Sequence, residues 1–168
     1  MTTHSGATTE TASGPTRDVE RFRQLLARGG TGQHSYALLL GLKTSDWARL
    51  LRSVERGFSF DALEHFQRNV GLGPWQVLEW LQIAPRTLTR RKRDGHLLPN
   101  ESDRLLRAAR ILGRSLELFE GDRDGAVEWL LSSQPALGGA SPMNVAKTEI
   151  GAREVEDLIG RLEHGVYS

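Results

Sequence analysis

Residues 74–95 read Pro74-Trp-Gln-Val-Leu-Glu-Trp-Leu-Gln-Ile-Ala-Pro-Arg-Thr-Leu-Thr-Arg-Arg-Lys-Arg-Asp-Gly95. Proline is tolerated in the first turn of a helix, where its missing N–H has no helical partner, so Pro74 and Pro85 predict two helix starts. The first helix is expected to span 74–81 and the second 85–93, with Gly95 ending the second. Two short helices joined by a tight turn at 82–84 form a helix-turn-helix pattern.

The second helix of this pattern is strongly basic. Leu88 is its one strongly apolar residue, so packing of Leu88 must hold a helix that is too short to be stable alone. The polar side chains are expected to face solvent or a ligand, and arginine and threonine suit guanine edges, thymine methyls and phosphates. The candidate DNA-binding residues are Arg86, Thr87, Thr89, Arg90, Arg91 and Lys92. The alternative is a basic helix that packs on an acidic neighbour or serves dimerisation.

Helical periodicity continues through the rest of the chain, and no alternating apolar run reaches the length of a strand. We therefore predict an all-α protein. Residues 28–33 are glycine-rich but lack the Gly-Lys-Ser/Thr ending of a phosphate loop, so they are interpreted as a linker. The other helices are expected at 16–27, 45–56 with Thr44 or Ser45 as N-cap, 60–70, 99–119, 122–132, 142–147 and 149–163.

The composition argues against several classes of protein. The chain has 168 residues, of which 38% are hydrophobic, and contains no cysteine, so disulfides and thiolate chemistry are excluded and a cytoplasmic location is expected. The five histidines lack the spacing of a metal site, so no metal is expected. The longest apolar run, 36–42, is too short to cross a membrane. The stretch 1–16 is expected to be a disordered tail.

The charges are unevenly distributed along the chain. The net charge is only +1, but residues 84–115 carry 9 basic and 3 acidic residues, whereas residues 116–168 carry 4 basic and 10 acidic residues. A segment of +6 followed by one of −6 indicates two surfaces with different partners, one of them suited to phosphates. The alternative is that the two blocks attract each other within the fold or between subunits.

The last third of the chain contains clear signals for helix starts. Gly138-Gly139 predicts a turn, Ser141-Pro142 predicts an N-cap followed by a first-turn proline, and Thr148 can cap the next helix. The apolar face of that last helix is formed by Val155, Leu158, Ile159 and Leu162. On spacing alone, this region is a small helical hairpin that completes the fold.

Two parts of the chain resemble the Xre/ParS-type antitoxins. The segment 72–95 resembles their helix-turn-helix through Leu72, Leu81, Ile83, Thr87, Leu88, Thr89, Arg90 and Gly95, and departs from the family's pattern at Pro74, Leu78, Gln82, which replaces a turn glycine, and Lys92. Residues 118–168 resemble the toxin-binding region through Pro135-Ala-Leu-Gly-Gly-Ala-Ser-Pro142, Thr148, Gly151, Val155 and His164-Gly-Val.

The resemblance implies an Xre-like helix-turn-helix domain followed by a small helical toxin-binding domain. It implies an antitoxin that neutralises a RES-domain, NAD-degrading toxin by covering its active site, and that represses its own operon by binding operator DNA. The chain ends four residues after His164, so a tail with a free carboxylate is expected to fill a nucleotide pocket. The implied toxin-binding residues are Leu137, Gly138, Gly139, Ser141, Pro142, Glu154, His164, Gly165, Val166, Tyr167 and Ser168.

The same resemblance sets the remaining expectations. The acidic residues of the last helix can meet toxin arginines, and the alternative, favoured for most of them individually, is a solvated helix face. These residues are Glu149, Glu154, Glu156, Asp157 and Glu163. Neither enzymatic activity nor a cofactor is expected, because the chain shows no paired acids, nucleophile elbow or phosphate loop. Homodimers are expected through the helix at 99–119 and its neighbours, and the alternative function is a stand-alone dimeric helix-turn-helix regulator. The expected divisions are a tail at 1–16, a helical extension at 17–57, the DNA-binding and dimerisation domain at 58–117 and the toxin-binding domain at 118–168.

Overall fold

The computed structural model describes residues 14–30 and 32–165, which fold as helices joined by short turns. Within these ranges there is no β-strand, only an antiparallel bridge between Ser59 and His96. The prediction of an all-α protein is confirmed. The α-helices are α1 (Arg17–Ala27), α2 (Trp47–Arg56), α3 (Phe60–Val70), α4 (Pro74–Leu81), α5 (Pro85–Asp94), α6 (Pro99–Leu118), α7 (Arg123–Leu131), α8 (Pro142–Val145) and α9 (Glu149–Glu163), and 3₁₀ helices lie at Ser35–Leu40 and Pro135–Leu137.

The predicted helix boundaries agree closely with the structure, and those of α3, α4 and α9 agree at both ends. The predicted N-cap of α2 is wrong, because Asp46 occupies that position and its carboxylate accepts a 2.9 Å hydrogen bond from the backbone N–H of Arg49. The two 3₁₀ helices were not predicted. Such short turns carry no 3.6-residue apolar period that a sequence pattern can show.

Helix α6 lies at the centre of the molecule. Its Leu105, Leu112 and Leu116 side chains are fully buried, and it packs against α2, α3, α4, α7, α9 and the 3₁₀ helix at 35–40. After its first two residues, only Asp103 of this helix is exposed. Other elements of the same chain cover most of α6, so the predicted homodimer, which stays a prediction, would have to use the neighbours of this helix.

The N-terminal part of the chain is built into the core. Val19 and Phe22 of α1 and Leu39 of the 3₁₀ helix are fully buried. The 3₁₀ helix approaches α6 at Gly113, where an added Cβ would stand 2.9 Å from the Cβ of Tyr36. Glycine permits this close approach of the two backbones. The region expected to be an extension is therefore an integral part of the fold.

A buried hydrogen-bonded cluster fastens α1 and the 3₁₀ helix to α3. The side-chain amide of Asn69 donates to the carbonyl of Leu39 at 2.8 Å and to the carboxylate of Asp18 at 2.9 Å. The hydroxyl of Thr16 donates to Asn69, and Thr16 also caps α1. The predicted end of the disordered tail, at residue 16, is therefore wrong, because Thr16 belongs to this cluster. Residues 1–13 of the predicted tail lie outside the described part of the chain.

Helices α7, α8 and α9 pack onto the same core. Buried side chains from Val19 in α1 to Ile159 in α9 form one continuous cluster. The predicted apolar face of α9 is confirmed for Val155, Leu158 and Ile159, which are buried, while Leu162 is only partly buried. The helix-turn-helix and the C-terminal helices are thus mounted on one shared core.

Replacing Phe22 by alanine is expected to destabilise the protein by about 3–5 kcal/mol, because the change removes a fully buried ring and leaves a cavity. Urea denaturation followed by circular dichroism measures the loss. Leu51→Ala serves as control, because Leu51 is 49% exposed and its loss should cost less than about 1 kcal/mol. A Phe22→Ala protein as stable as the wild type would show that α1 is dispensable for folding.

Two glycines of α9 are expected to respond oppositely to alanine. A Cβ at Gly151 would stand 1.8 Å from the carbonyl oxygen of Val145, so Gly151→Ala should destabilise the protein by about 1–3 kcal/mol. Gly160 has nothing within 4 Å of its Cβ position, so Gly160→Ala should stabilise the protein by about 0.5–1 kcal/mol through helix propensity. Thermal unfolding of both variants tests this, and equal shifts would contradict the packing of α8 on α9.

Candidate DNA-binding and toxin-binding sites

The turn between α4 and α5 is tight and hydrogen-bonded. Gln82 ends α4 in the left-handed conformation with φ of 53°, and the backbone N–H of Ile83 donates to the carbonyl of Leu78 at 3.0 Å. Ala84 then occupies the N-cap position of α5, and Pro85 is the first residue of that helix. Glycine is favoured in left-handed backbone, which explains why the resembled family has glycine where this chain has Gln82. The predicted helix-turn-helix is confirmed.

Helix α5 presents several of its cations to solvent. Arg86, Arg90 and Lys92 are exposed and have no carboxylate within salt-bridge distance among the described residues. Thr89 is also exposed, although its hydroxyl donates to the carbonyl of Pro85 at 3.2 Å. Leu88 packs against the core as predicted, and Thr87 beside it is half-buried. The exposed face of α5 is thus positively charged and anchored from beneath.

Arg91 does not belong to this exposed face. Its side chain points inward, the residue is only 8% exposed, and its guanidinium binds Glu101 in a bidentate pair of 2.7 Å and 3.0 Å. The same carboxylate accepts a 2.8 Å hydrogen bond from the backbone N–H of Leu98. The prediction that Arg91 is available for DNA is wrong, because it fastens α5 to the start of α6.

The electrostatics of this pair are consistent with a structural role. Burial alone would raise the pKa of the Glu101 carboxyl, but the hydrogen bonds from Arg91 and from the backbone of Leu98 hold that pKa below its usual value. The carboxylate therefore stays charged at neutral pH. Glu101 is the third residue of α6, where a carboxylate can reach back to the helix start, and this was the one signal of its role in the sequence.

The turn before α8 exposes part of the predicted toxin-binding set. Gly138 and Gly139 are exposed and have positive φ, as a turn of this shape requires. Leu137 packs against the core, Pro142 is buried, and the hydroxyl of Ser141 caps α8 by accepting from the N–H of Asn144 at 3.3 Å. Burial contradicts the prediction for Pro142, and Leu137 and Ser141 also have evident structural tasks.

Ion pairs join α9 to the middle and the C-terminal part of α6. Three arginines of α6 face α9, and the N–O distances are 2.9 to 3.1 Å. Three of the five acidic residues expected to meet toxin arginines are therefore already paired within the chain. The pairs are Arg107 with Glu149, Arg110 with Glu149 and Glu156, and Arg114 with Glu163. The basic and acidic blocks attract each other in part, so assigning them wholly to separate partners is wrong.

The carboxyls in this cluster titrate differently. Burial raises the pKa of Glu156, and the nearby Glu149 adds to that rise despite the opposing charge of Arg110. Burial also acts on Glu149, but the charge of Arg110 and the hydrogen bonds from Arg107 and Arg110 hold its pKa below its usual value. Burial raises the pKa of the neighbouring Tyr36 hydroxyl. The charge of Arg110 on α6 therefore interacts strongly with the two carboxyls of α9 that it contacts, Glu149 and Glu156.

The outer face of α9 remains open. Ile150 is 79% exposed, and Glu154, one turn later, and Asp157 are exposed without a salt bridge in the described part of the chain. His164 and Gly165 are exposed at the end of this helix, and the imidazole Nδ1 of His164 lies 2.7 Å from the carbonyl of Gly160. The predicted residues Val166, Tyr167 and Ser168 lie outside the described residues.

The sequence analysis did not identify Ile150 as a candidate binding residue. Its signal was an isoleucine on the opposite side of α9 from Val155 and Ile159, but a single isoleucine is usually assigned to a core. Between residues 14 and 165, apart from residue 31, no group of three or more histidine, aspartate or glutamate side chains is arranged to hold a metal ion. No helix in those ranges is long and apolar enough to cross a membrane.

The two predicted modules correspond to known family models. A model described as the antitoxin Xre/MbcA/ParS C-terminal toxin-binding domain matches residues 115–165. A second model, described as the antitoxin Xre-like helix-turn-helix domain, matches residues 49–110. The first covers the turn at 138–139 and all of α9, and the second covers α3 to α5 and much of α2 and α6.

Curated relatives that match most of the chain are also antitoxins, in agreement with both family models. An Antitoxin Xre of Yersinia enterocolitica is 39% identical over 130 residues, which cover 77% of this chain and 88% of that protein. An Antitoxin Xre of Photorhabdus laumondii is 31% identical over 130 residues with the same coverage. A Prs ADP-ribosylating antitoxin of Sphingobium is 25% identical over 124 residues, or 68% of this chain and 78% of that protein. The chain therefore belongs to the Xre family of antitoxins, with an Xre-like helix-turn-helix domain and an Xre/MbcA/ParS toxin-binding domain.

Proposed function

We propose that this antitoxin neutralises a RES-domain, NAD-degrading toxin in the cytoplasm and represses its own operon as a dimer. The observation that carries the proposal is the match of residues 115–165 to a toxin-binding domain, behind a helix-turn-helix with an open basic face. Neither role requires a metal, a cofactor or catalysis by this chain. Both depend on surface complementarity.

The DNA-binding role rests on α5. Arg86 and Arg90 are one turn apart on a helix whose inner side is fixed by Leu88 and by the pair of Arg91 with Glu101. Arginine side chains held in this way reach guanine edges or phosphates in the major groove. A single module of this size buries too little surface for tight binding, so a dimer would place two α5 helices on half-sites about 34 Å apart.

Replacing both Arg86 and Arg90 by alanine is expected to weaken binding to the DNA upstream of the gene at least about tenfold and to reduce sequence discrimination. Fluorescence anisotropy on the upstream duplex and on a scrambled duplex measures both effects. Arg68→Ala is the control, because Arg68 is an exposed arginine of α3 and does not belong to α5. Unchanged affinity and discrimination in the double variant would remove α5 as the recognition helix.

The toxin-binding role rests on the outer face of α9 and the segment that follows it. Ile150 offers an exposed apolar side chain, and the unpaired carboxylates of Glu154 and Asp157 lie on later turns of the same helix. An apolar anchor flanked by charged residues is the usual composition of a binding surface. We assign Gly138 and Gly139 to the same interface as an exposed turn, and residues 165–168 as the segment that enters the toxin's active site.

Deleting residues 165–168 is expected to leave folding intact and to abolish neutralisation, because these residues follow the end of α9 in the sequence and Gly165 is exposed. Ile150→Asp should weaken capture of the toxin by at least about tenfold through loss of an apolar anchor. The measurements are growth rescue, cellular NAD and co-purification with the product of the adjacent gene.

Leu51→Asp is the matched control for Ile150→Asp, because Leu51 is also an exposed apolar residue on a helix but lies in α2, outside the toxin-binding domain. It should bind toxin normally. Full rescue by the truncated protein would exclude the terminal segment from the mechanism. If the antitoxin rescues growth but cellular NAD is the same with the toxin alone and with both proteins, NAD degradation is excluded as the activity that is neutralised.

A further inference from the structure

Two cavities lie side by side on the N-terminal part of the molecule, which is the part whose role the sequence leaves open. One, of about 430 Å³, lies between α1 and the segment that leads into α2. The other, of about 400 Å³, lies between that segment and the side of α2. Lys43 and Thr44 line both cavities, which therefore adjoin along this segment. We call the pair of cavities the α1–α2 groove.

The α1–α2 groove is lined by positive charge. No carboxylate of a described residue is among its lining side chains, and none of its cations lies within 4.0 Å of a described carboxylate. The cations of α6 and α9, in contrast, are mostly neutralised by ion pairs. The cations of the groove are Arg21, Arg28, Lys43, Arg49, Arg52 and Arg56.

The arginines of α2 form a row along this groove. Arg49, Arg52 and Arg56 recur at the spacing of one helix face and span about 10 Å of helix rise. Duplex DNA carries one negative charge per about 1.7 Å of its axis, so a row of this length faces several phosphates. The hydroxyl of Thr44 accepts a hydrogen bond from the N–H of Asp46 and keeps its own hydrogen to donate.

The groove leads towards the helix that we assign to DNA recognition. At the C-terminal end of α2, a Cβ at Gly57 would stand 2.0 Å from the carbonyl of Leu97, just after α5. The backbone N–H of Phe60 donates to the carbonyl of Gly95, and that of Leu97 to the carbonyl of Phe58. The Arg56 end of the row is therefore held beside the C-terminal end of α5.

We propose that the α1–α2 groove binds the phosphate backbone of DNA that flanks the site contacted by α5. The inference rests on the proposed DNA-binding function and extends its contact surface to α1 and α2. Six cations without a neutralising carboxylate suit a phosphate backbone, which carries a closely and regularly spaced negative charge. The exposed apolar side chains of α2, Trp47 and Leu51, do not line the groove.

This assignment gives the N-terminal region a function besides its place in the core. Phosphate contacts supply affinity without reading sequence, while base contacts supply discrimination. The groove should therefore strengthen binding to specific and scrambled DNA alike. It should also extend the protected footprint beyond the base pairs contacted by α5.

The test compares two triple variants of the full chain. The groove variant carries Arg49→Gln, Arg52→Gln and Arg56→Gln, and the control variant carries Arg68→Gln, Arg153→Gln and Arg161→Gln, with the same change in charge outside the groove. The probes are duplexes of about four helical turns, one from upstream of the gene and one scrambled. Anisotropy titrations over a range of salt concentrations give affinity and its salt dependence, and circular dichroism confirms folding.

The groove variant is expected to bind both duplexes more than about tenfold more weakly than the control variant, with a slope of log affinity against log salt reduced by about 3. The Arg86→Ala, Arg90→Ala variant should lose more affinity for the upstream duplex than for the scrambled duplex. Equal affinities and slopes for the groove and control variants would overturn the inference. Loss of toxin capture in the groove variant, with DNA binding unchanged, would overturn it in favour of an acidic protein partner.

The same data separate this inference from the proposed operon repression. Wild-type protein that binds both duplexes equally, with affinity lost in the groove variant, would support the groove and contradict operator recognition. Wild-type preference for the upstream duplex, with the groove variant binding both duplexes as tightly as the control variant, would support operator recognition and contradict the groove. Wild-type protein that binds neither duplex would contradict both.

Discussion

The fold depends on the need to cover α6, a twenty-residue helix whose Leu105, Leu112 and Leu116 side chains are fully buried. Apolar surface is removed from water only when other elements pack on every side, and here these elements come from both ends of the chain. The 3₁₀ helix at 35–40 covers one side and α9 covers another. The N-terminal region and the toxin-binding domain therefore share a core with the helix-turn-helix.

The burial of α6 also determines where charge remains available. Its arginines at 107, 110 and 114 lie at the edge of the buried surface and are neutralised by carboxylates of α9. Cations without such partners in the described chain then gather on α5 and in the α1–α2 groove, and unpaired carboxylates lie on the outer face of α9. The unpaired cations and the unpaired carboxylates therefore lie on different surfaces, because the arginines of α6 and the carboxylates of α9 between them neutralise each other within the fold.

The shared core fixes the two functional surfaces relative to each other. The ammonium of Lys147, in the turn before α9, lies 3.0 Å from a carboxylate oxygen of Glu79 on α4 of the helix-turn-helix. Arg107 of α6 donates to the backbone carbonyl of the same Lys147 at 3.1 Å. The toxin-binding domain is thereby attached to the DNA-binding domain through polar contacts as well as through the apolar core.

The sequence by itself determined the helices and the two modules. Proline at Pro74 and Pro85 and the apolar period of α9 act within a few residues, so local rules place them correctly. Only the tertiary structure decided that Arg91 turns inward to Glu101, that Pro142 is buried and that Glu149 pairs with α6. Exposure and pairing depend on which distant elements come together, because a helical pattern shows which residues share a face but not what that face meets.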